Sequence, residues 1–335
     1  MLEAAVGPRW KPGEALAPES NPILDRLGLS AWLAGRSDIA CRSAGVRSIW
    51  GTGEVFFRDG FREPLGAGWV IDRRGFESFL DARAIEAGSE WIWSARVQAA
   101  EWSKDIWRLR AIRQAASMEL HARVIIDATG RPASIARRLG ARRVQYQQQI
   151  ASVISWQEVR PPDTAWVSVE STPDGWWYSV SGPNSSQLLA QFRDGSDAHA
   201  GRGDCCSSME AALTSTQLMR QVVTLPPRQD LTHAEVVSAG SAALDSSAGE
   251  AWLAVGDAAA AFDPISSQGL SNAIASAYAG ANAVHNWIRG DGGALKAYAA
   301  SVTATYDNYR RGLRTHYRSE TRWRDRPFWK RRHKE

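Results

Sequence analysis

The pattern of apolar and polar positions divides the chain into helical stretches, hairpin-like stretches and two short buried strands. Over 74–87, Phe76, Phe79, Leu80 and Ala84 recur at helical spacing and share one face. Longer helices are predicted over 269–287 and from 294 to about 323, where Tyr298, Val302, Tyr306, Tyr309 and Leu313 form a stripe. A helix over 21–33 is broken by Gly28, and a short one covers 133–139. Alternating and glycine-rich signals over 45–65 read as hairpin material, and 91–102 and 106–112 as paired strands. Between about 145 and 240 the chain turns to short β-rich runs, at 150–159, 165–169, 176–180 and 187–192, with one helix near 208–222. The run 252–255 is short and apolar, and 121–130 reads as a second buried strand that ends at Gly130.

The chemistry collects at the ends of those two buried strands. Trp252 to Val255 runs into Gly256-Asp257, a run of small residues, then Asp263-Pro264-Ile265-Ser266-Ser267-Gln268-Gly269-Leu270 and an Ala-rich helix. A helix start offers free N–H groups and the positive end of the dipole, which suits a phosphate-bearing polar ligand. Asp257 can accept hydrogen bonds from the hydroxyls of a sugar-like chain. Gly269 lets the backbone approach a flat ring, and Pro264 fixes the chain direction before the turn. The other strand ends in Asp127-Ala128-Thr129-Gly130-Arg131. Arg9-Trp10-Lys11-Pro12-Gly13-Glu14 precedes the first helix, and Asp72-Arg73 opens the 74–87 helix. In Asp174-Gly175-Trp176-Trp177-Tyr178 a strand puts Trp176 and Tyr178 on one face and Trp177 on the other.

In this order the strings resemble the FAD-dependent monooxygenases built like p-hydroxybenzoate hydroxylase. Within that family the Trp- and Arg-rich ending, 317–332, resembles the tryptophan-halogenase-like proteins and the maturation flavoproteins of quinone-cofactor oxidases. The resemblance implies an α/β fold with an α+β insertion. A Rossmann-like FAD-binding domain would occupy 1–144 and 241–290. A β-rich substrate domain would lie at 145–240 and a helical region at 291–335. It implies that Asp257 holds the ribityl chain and that Gly256, Pro264, Ser267, Gly269 and Leu270 lie about the isoalloxazine. Gly13 and Glu14 would form a loop under the flavin, and the Asp127–Gly130 string would pack on the dinucleotide. Glu3 would hold the adenosine ribose. Arg73 would face the flavin or be a surface arginine at a helix start. Trp176, Trp177 and Tyr178 are the candidate substrate wall. No triad is expected, and each of the six histidines reads as structural or exposed.

The G-x-G-x-x-G turn that opens such folds is absent from this sequence. Leu2-Glu3 reads as the end of the second strand of such a unit, so a first βα unit of about thirty residues is expected to be missing. The missing strand would be central, leaving its two neighbours without a ladder partner.

The 335 residues carry a formal net charge of +4, much of the excess in the last fourteen, where a solvated helix end explains it without nucleic acid. Three cysteines, two of them adjacent, give neither a disulfide framework nor metal spacing. No signal peptide or spanning run is evident, so a cytoplasmic chain without membrane or nucleic-acid partners is expected. The resemblance implies FAD as cofactor, NAD(P)H as electron donor and O₂ as co-substrate. The implied reaction hydroxylates an electron-rich ring through a flavin C4a-hydroperoxide, the substrate being a small aromatic molecule or a peptidyl tryptophan of a partner protein. Halogenation, isoprenoid reduction and a flavin-free binding role are the alternatives. Halogenation would need a lysine, and 45–70 contains none.

Overall fold

The computed structural model describes residues 1–158, 165–195 and 205–334. His199 and the last residue of the 150–159 run lie outside them. The largest element is a nine-stranded sheet. Its path runs Leu231–Ser238, Gln149–Gln157, Ser186–Asp194, Gly175–Ser181, Ala165–Thr172, Ala40–Ile49, Trp69–Ile71 and Ala15–Leu16, with Phe56–Asp59 beside Ala40–Ile49. All neighbours are antiparallel except Ala165–Thr172 and Ala40–Ile49. The sheet is therefore not confined to 145–240. Four of its strands come from 15–71, because long-range pairing, which local pattern does not encode, recruits the early hairpin.

The sheet curls until its two ends approach. Trp10, in the loop before Ala15–Leu16, stacks on His233 of the opposite edge strand, with centroids 4.2 Å apart and rings 10° from parallel. One face carries Ala151, Val153, Trp176, Leu188 and Phe192 against Phe262, Tyr306, Tyr317 and Trp329 of the C-terminal half. The other carries Ile154, Trp156, Trp177 and Leu189 under Met209, Leu213 and Met219. Each large apolar side chain so buried is worth about 1.5–3 kcal/mol.

The helix predicted over 208–222 is two helices, Cys205–Leu213 and Met219–Val222. The buried Glu170 carboxylate accepts from the N–H groups of Gln217, Leu218 and Met219 at 2.5–2.9 Å, starting a new helix after the break at Thr214-Ser215-Thr216. The strand expected over 91–102 is split at Ser94 (φ +59°) into Ile92–Trp93 and Ala95–Ser103. Likewise 121–130 is split. His121 lies in the hairpin strand Ala116–Ala122, while Ile125–Asp127 belongs to another sheet. The long helices are Gly269–Ile288 and Ala294–Ser319.

Ile125–Asp127 lies parallel to Trp252–Ala254, and Leu2–Glu3 parallel to Ile92–Trp93. The two ribbons do not hydrogen-bond to each other. Leu2–Glu3 and Ile125–Asp127 each have one ladder partner among the described residues, and Ile126 is 46% exposed.

Candidate flavin site

The two buried strands pair Asp127 with Ala254, so both motif loops leave the sheet side by side. Asp127 is fully buried. One carboxylate oxygen accepts from Thr129 N–H (2.9 Å), the other from Ile135 (3.0 Å) and Ala136 (2.7 Å). Asp127 was expected at the cofactor; its carboxylate instead shapes the loop and caps the helix Ser134–Arg138. What the loop turns outward is Gly130, in the left-handed region (φ +71°), where an added Cβ would meet nothing within 4 Å.

Across from it, Gly256 sits at φ +57° and donates its N–H to Ser276 Oγ (2.8 Å). That conformation turns Asp257 out of the strand, where its carboxylate is one-third exposed. Burial raises the Asp257 pKa, opposed by the charges of Arg131, Arg143 and Arg73. Arg131 is the residue sequence reasoning missed. Its Nε lies 3.5 Å from Asp257, and its terminal nitrogens donate to the carbonyls of Gly240 and Phe262. One guanidinium thus ties both motif loops to the turn before Pro264. Arg131 follows directly on the Ala-Thr-Gly string, but its partners lie 109 and 131 residues away.

The turn that follows is built from Asp263, whose buried carboxylate accepts from Ile265 N–H (3.0 Å) and caps Pro264–Ser266. Ser267 is left-handed (φ +52°), and the chain enters Gly269–Ile288 with no side chain capping its start. An added Cβ at Gly269 would meet nothing within 4 Å. The Leu270 side chain packs inward, against the core around Leu16, Leu24 and Leu33.

The early loop closes another side. Arg73 was expected either to face the flavin or to be a surface arginine at the helix start. It instead donates to the carbonyls of Pro12 and Gly13 (both 3.1 Å) and pairs with Glu77, bracing the Gly13–Glu14 bend. Gly13 N–H donates to Glu14 Oε2 (3.0 Å). Burial pushes the Glu14 carboxyl up to about 7, against the lowering effect of that N–H and of Arg73. Tyr178 is raised by its own burial and by the Glu14 charge, and packs in one cluster with Trp10, Ala15, Cys41 and Ile265. Of the three aromatics, Tyr178 is the one that reaches this space. Trp176 is fully buried, stacked on Phe192 (3.7 Å), and Trp177 faces the other side of the sheet. Glu3 stands apart on its two-stranded ribbon, its carboxylate accepting from Ala5 N–H (2.8 Å).

Arg131 thus links the Gly130 loop to Asp257 and to the chain before Pro264, and Arg73 braces the Gly13–Glu14 bend. Open backbone at Gly130 and Gly269, an uncapped helix start and an outward carboxylate fit a flat ring bearing a hydroxylated chain. No cluster of His, Cys, Asp and Glu suited to a metal occurs among the described residues.

A fold and site of this kind define an FAD-dependent flavoprotein. The family model described as tryptophan halogenase matches residues 54–335, and the chain belongs to that family. It is similar to LodB of Marinomonas mediterranea, a provisionally assigned FAD-dependent oxidoreductase: 26% identical over 295 residues, covering 86% of this chain and 78% of LodB. It is 25% identical over 311 residues to a 1H-pyrrole-2-carbonyl-peptidyl-carrier-protein brominase of Pseudoalteromonas luteoviolacea, covering 89% and 74%. Among solved structures, the flavin-dependent halogenase CmlS superposes with a TM-score of 0.85 at 22% identity, over 99% of this chain and 62% of CmlS. The peptidyl tryptophan dihydroxylase QhpG gives 0.79 at 20% identity, over 99% and 72%. The chain thus spans less than two-thirds of CmlS. No helix among the described residues is long and apolar enough to cross a membrane.

Proposed function

We propose that this protein oxygenates an electron-rich aromatic ring with FAD, NAD(P)H and O₂, on a small aromatic molecule or on the tryptophan side chain of a partner protein. The observation that carries the reading is that Tyr178 packs in one cluster with Trp10 and Ala15, on either side of Glu14, and that no lysine belongs to this group. The five lysines of the chain are Lys11, Lys104, Lys296, Lys330 and Lys334. Lys11, the one on the early loop, points outward to Glu77 (2.7 Å).

FAD, when bound, supplies the redox and oxygen chemistry. Asp257 would hold the ribityl hydroxyls, the Gly130 and Gly269 backbones would lie along the ring system, and Glu3 would stand on the ribose side. Glu14, with Oε2 engaged by Gly13, can keep or release a proton at Oε1 near neutral pH. Tyr178 offers a phenol that stays protonated, to orient a ring from above. The curled sheet keeps bulk water from that side.

Halogenation is the second reading, favoured by the CmlS and brominase likenesses. The test has two stages. Purified chain is mixed with FAD and desalted, and retained flavin absorbance is read. Retaining chain is then given a flavin reductase, NADH, air, chloride and a tryptophan-containing peptide, and the product is weighed by mass spectrometry. Oxygen incorporation supports the proposal; chlorine incorporation replaces it with the second reading. Loss of all flavin on desalting removes both.

A further inference from the structure

Beside the turn that carries Pro264, three arginines line a shallow cleft walled by Tyr146, Ser241 and Tyr317. Arg310 and Arg314 stand one turn apart on Ala294–Ser319, and Arg332 comes from the last helix, Pro327–Lys334. The Arg310 guanidinium lies over the Tyr146 ring, 3.8 Å from its centroid. Such stacking uses the face of the group and leaves its N–H edge free. Arg310 and Arg314 are half-buried, and among the described residues neither makes a hydrogen bond or an ion pair. Arg332 is 2% exposed. Its terminal nitrogens bind Asp194 (3.0 Å), Phe328 O (3.1 Å) and Gln149 (2.8 Å), but its buried Nε has no partner. The nearby carboxylates are already engaged. Asp194 sits between Arg331 and Arg332, and Asp263 accepts from Tyr317 (2.8 Å), Gln149 (3.2 Å) and Ile265.

Half-buried cations facing one cleft repel each other and lose solvation unless an anion joins them. A tetrahedral oxyanion matches guanidinium edges better than a halide does, because each edge can donate two parallel hydrogen bonds. We infer that this cleft is a phosphate-binding site, with Arg310 and Arg314 as its arms and Arg332 at its base. The phosphate can be the free ion or the end of a phosphate ester. Tyr317 belongs both to the cleft wall and to the Asp263 carboxylate, so the occupant sits one hydroxyl away from the turn that carries Pro264.

Binding is measured by calorimetry on the whole purified chain at constant ionic strength, first with inorganic phosphate and then with ethyl phosphate, against a chloride background. Saturable phosphate binding is expected. Arg310→Gln and Arg314→Gln should each weaken it at least tenfold, about 1.4 kcal/mol. Arg289→Gln, at the far end of another helix, should bind as the unaltered chain does. Thermal unfolding checks that the variants fold, which surface-facing changes of this kind permit. Tighter binding of ethyl phosphate identifies an ester as the occupant; equal or weaker binding identifies the free ion. No saturable phosphate binding, or an Arg310→Gln, Arg314→Gln double variant that binds unchanged, overturns the site. Because no flavin is needed, the outcome is independent of the proposed reaction.

Discussion

The carboxylates of the scaffold and those of the flavin site differ in how completely the chain satisfies them. Asp127, Glu170 and Glu320 are buried and accept several hydrogen bonds each, from helix starts or from Arg322, Ser171 and Gly51. Asp257 and Glu14 are partly exposed and under-supplied, and burial raises both pKa values. Glu320 is desolvated too, yet Arg322 and Ser171 hold it down at about 2. Desolvation is common to both groups; the number of donors separates them. A carboxylate that ends a strand is structural where the backbone turns back on it and available where the backbone turns away.

The largest expected break in this contrast comes from Asp127→Ala, which leaves the N–H groups of Ile135 and Ala136 unpaired in the core and frees that of Thr129 nearer the surface. It should cost about 3–5 kcal/mol in urea unfolding, whereas Asp257→Asn should cost less than about 1 kcal/mol. If FAD is retained as proposed, Asp257→Asn should instead weaken it at least about tenfold, read by flavin fluorescence (about 1.4 kcal/mol). A stability loss for Asp257→Asn as large as for Asp127→Ala would erase the distinction.

Trp177→Ala comes next, at about 3–5 kcal/mol, because it opens a cavity between the sheet and the helices that cover it. Tyr178→Phe on the neighbouring residue should leave stability within about 0.5 kcal/mol and act on turnover alone.

Glu320→Gln should cost about 2–3 kcal/mol at pH 7. Its folded-state pKa is depressed, so the stabilisation is full above the unfolded value near 4.5 and is lost as pH falls toward 2. Unfolding of the unaltered and substituted chains should therefore converge in acid.

Glu14 gives the smallest effect and the opposite sign. Its folded-state pKa is raised, so its charge opposes folding progressively as pH rises from about 4.5 to 7. Glu14→Gln should be neutral at pH 4 and stabilising by about 1–2 kcal/mol at pH 8, allowing for its partial exposure. Equal stability of both chains at pH 8 would show that the carboxyl is better solvated than its position indicates.

The motifs on strand ends were legible because strand, turn and helix start are neighbours in sequence. The Gly256-Asp257 and Gly130 loops, the long helices from 269 and 294 and the break at Gly28 all depend on contacts within a few residues. What was hidden is direction and distance. Sequence order put Asp127 and Arg73 beside the cofactor strings, but one carboxylate folds into its own loop and one guanidinium reaches 60 residues back to Gly13. The pairing of Glu170 with 217–219 and of Arg131 with 240 and 262 leaves no local trace. The same holds for the sheet, whose parallel junction joins residues about 120 apart.

The stack of Trp10 on His233 has a consequence for solubility. An open sheet offers bare strand edges that can template association with other chains. Here the loop leading into one edge strand lays an indole across the other, where His233 and Glu235 already place polar side chains. The clasp that rounds the sheet over the site also spoils that edge as a landing strip for foreign strands. Replacing Trp10 with a small residue should therefore be felt first as aggregation on concentration, before any loss of fold.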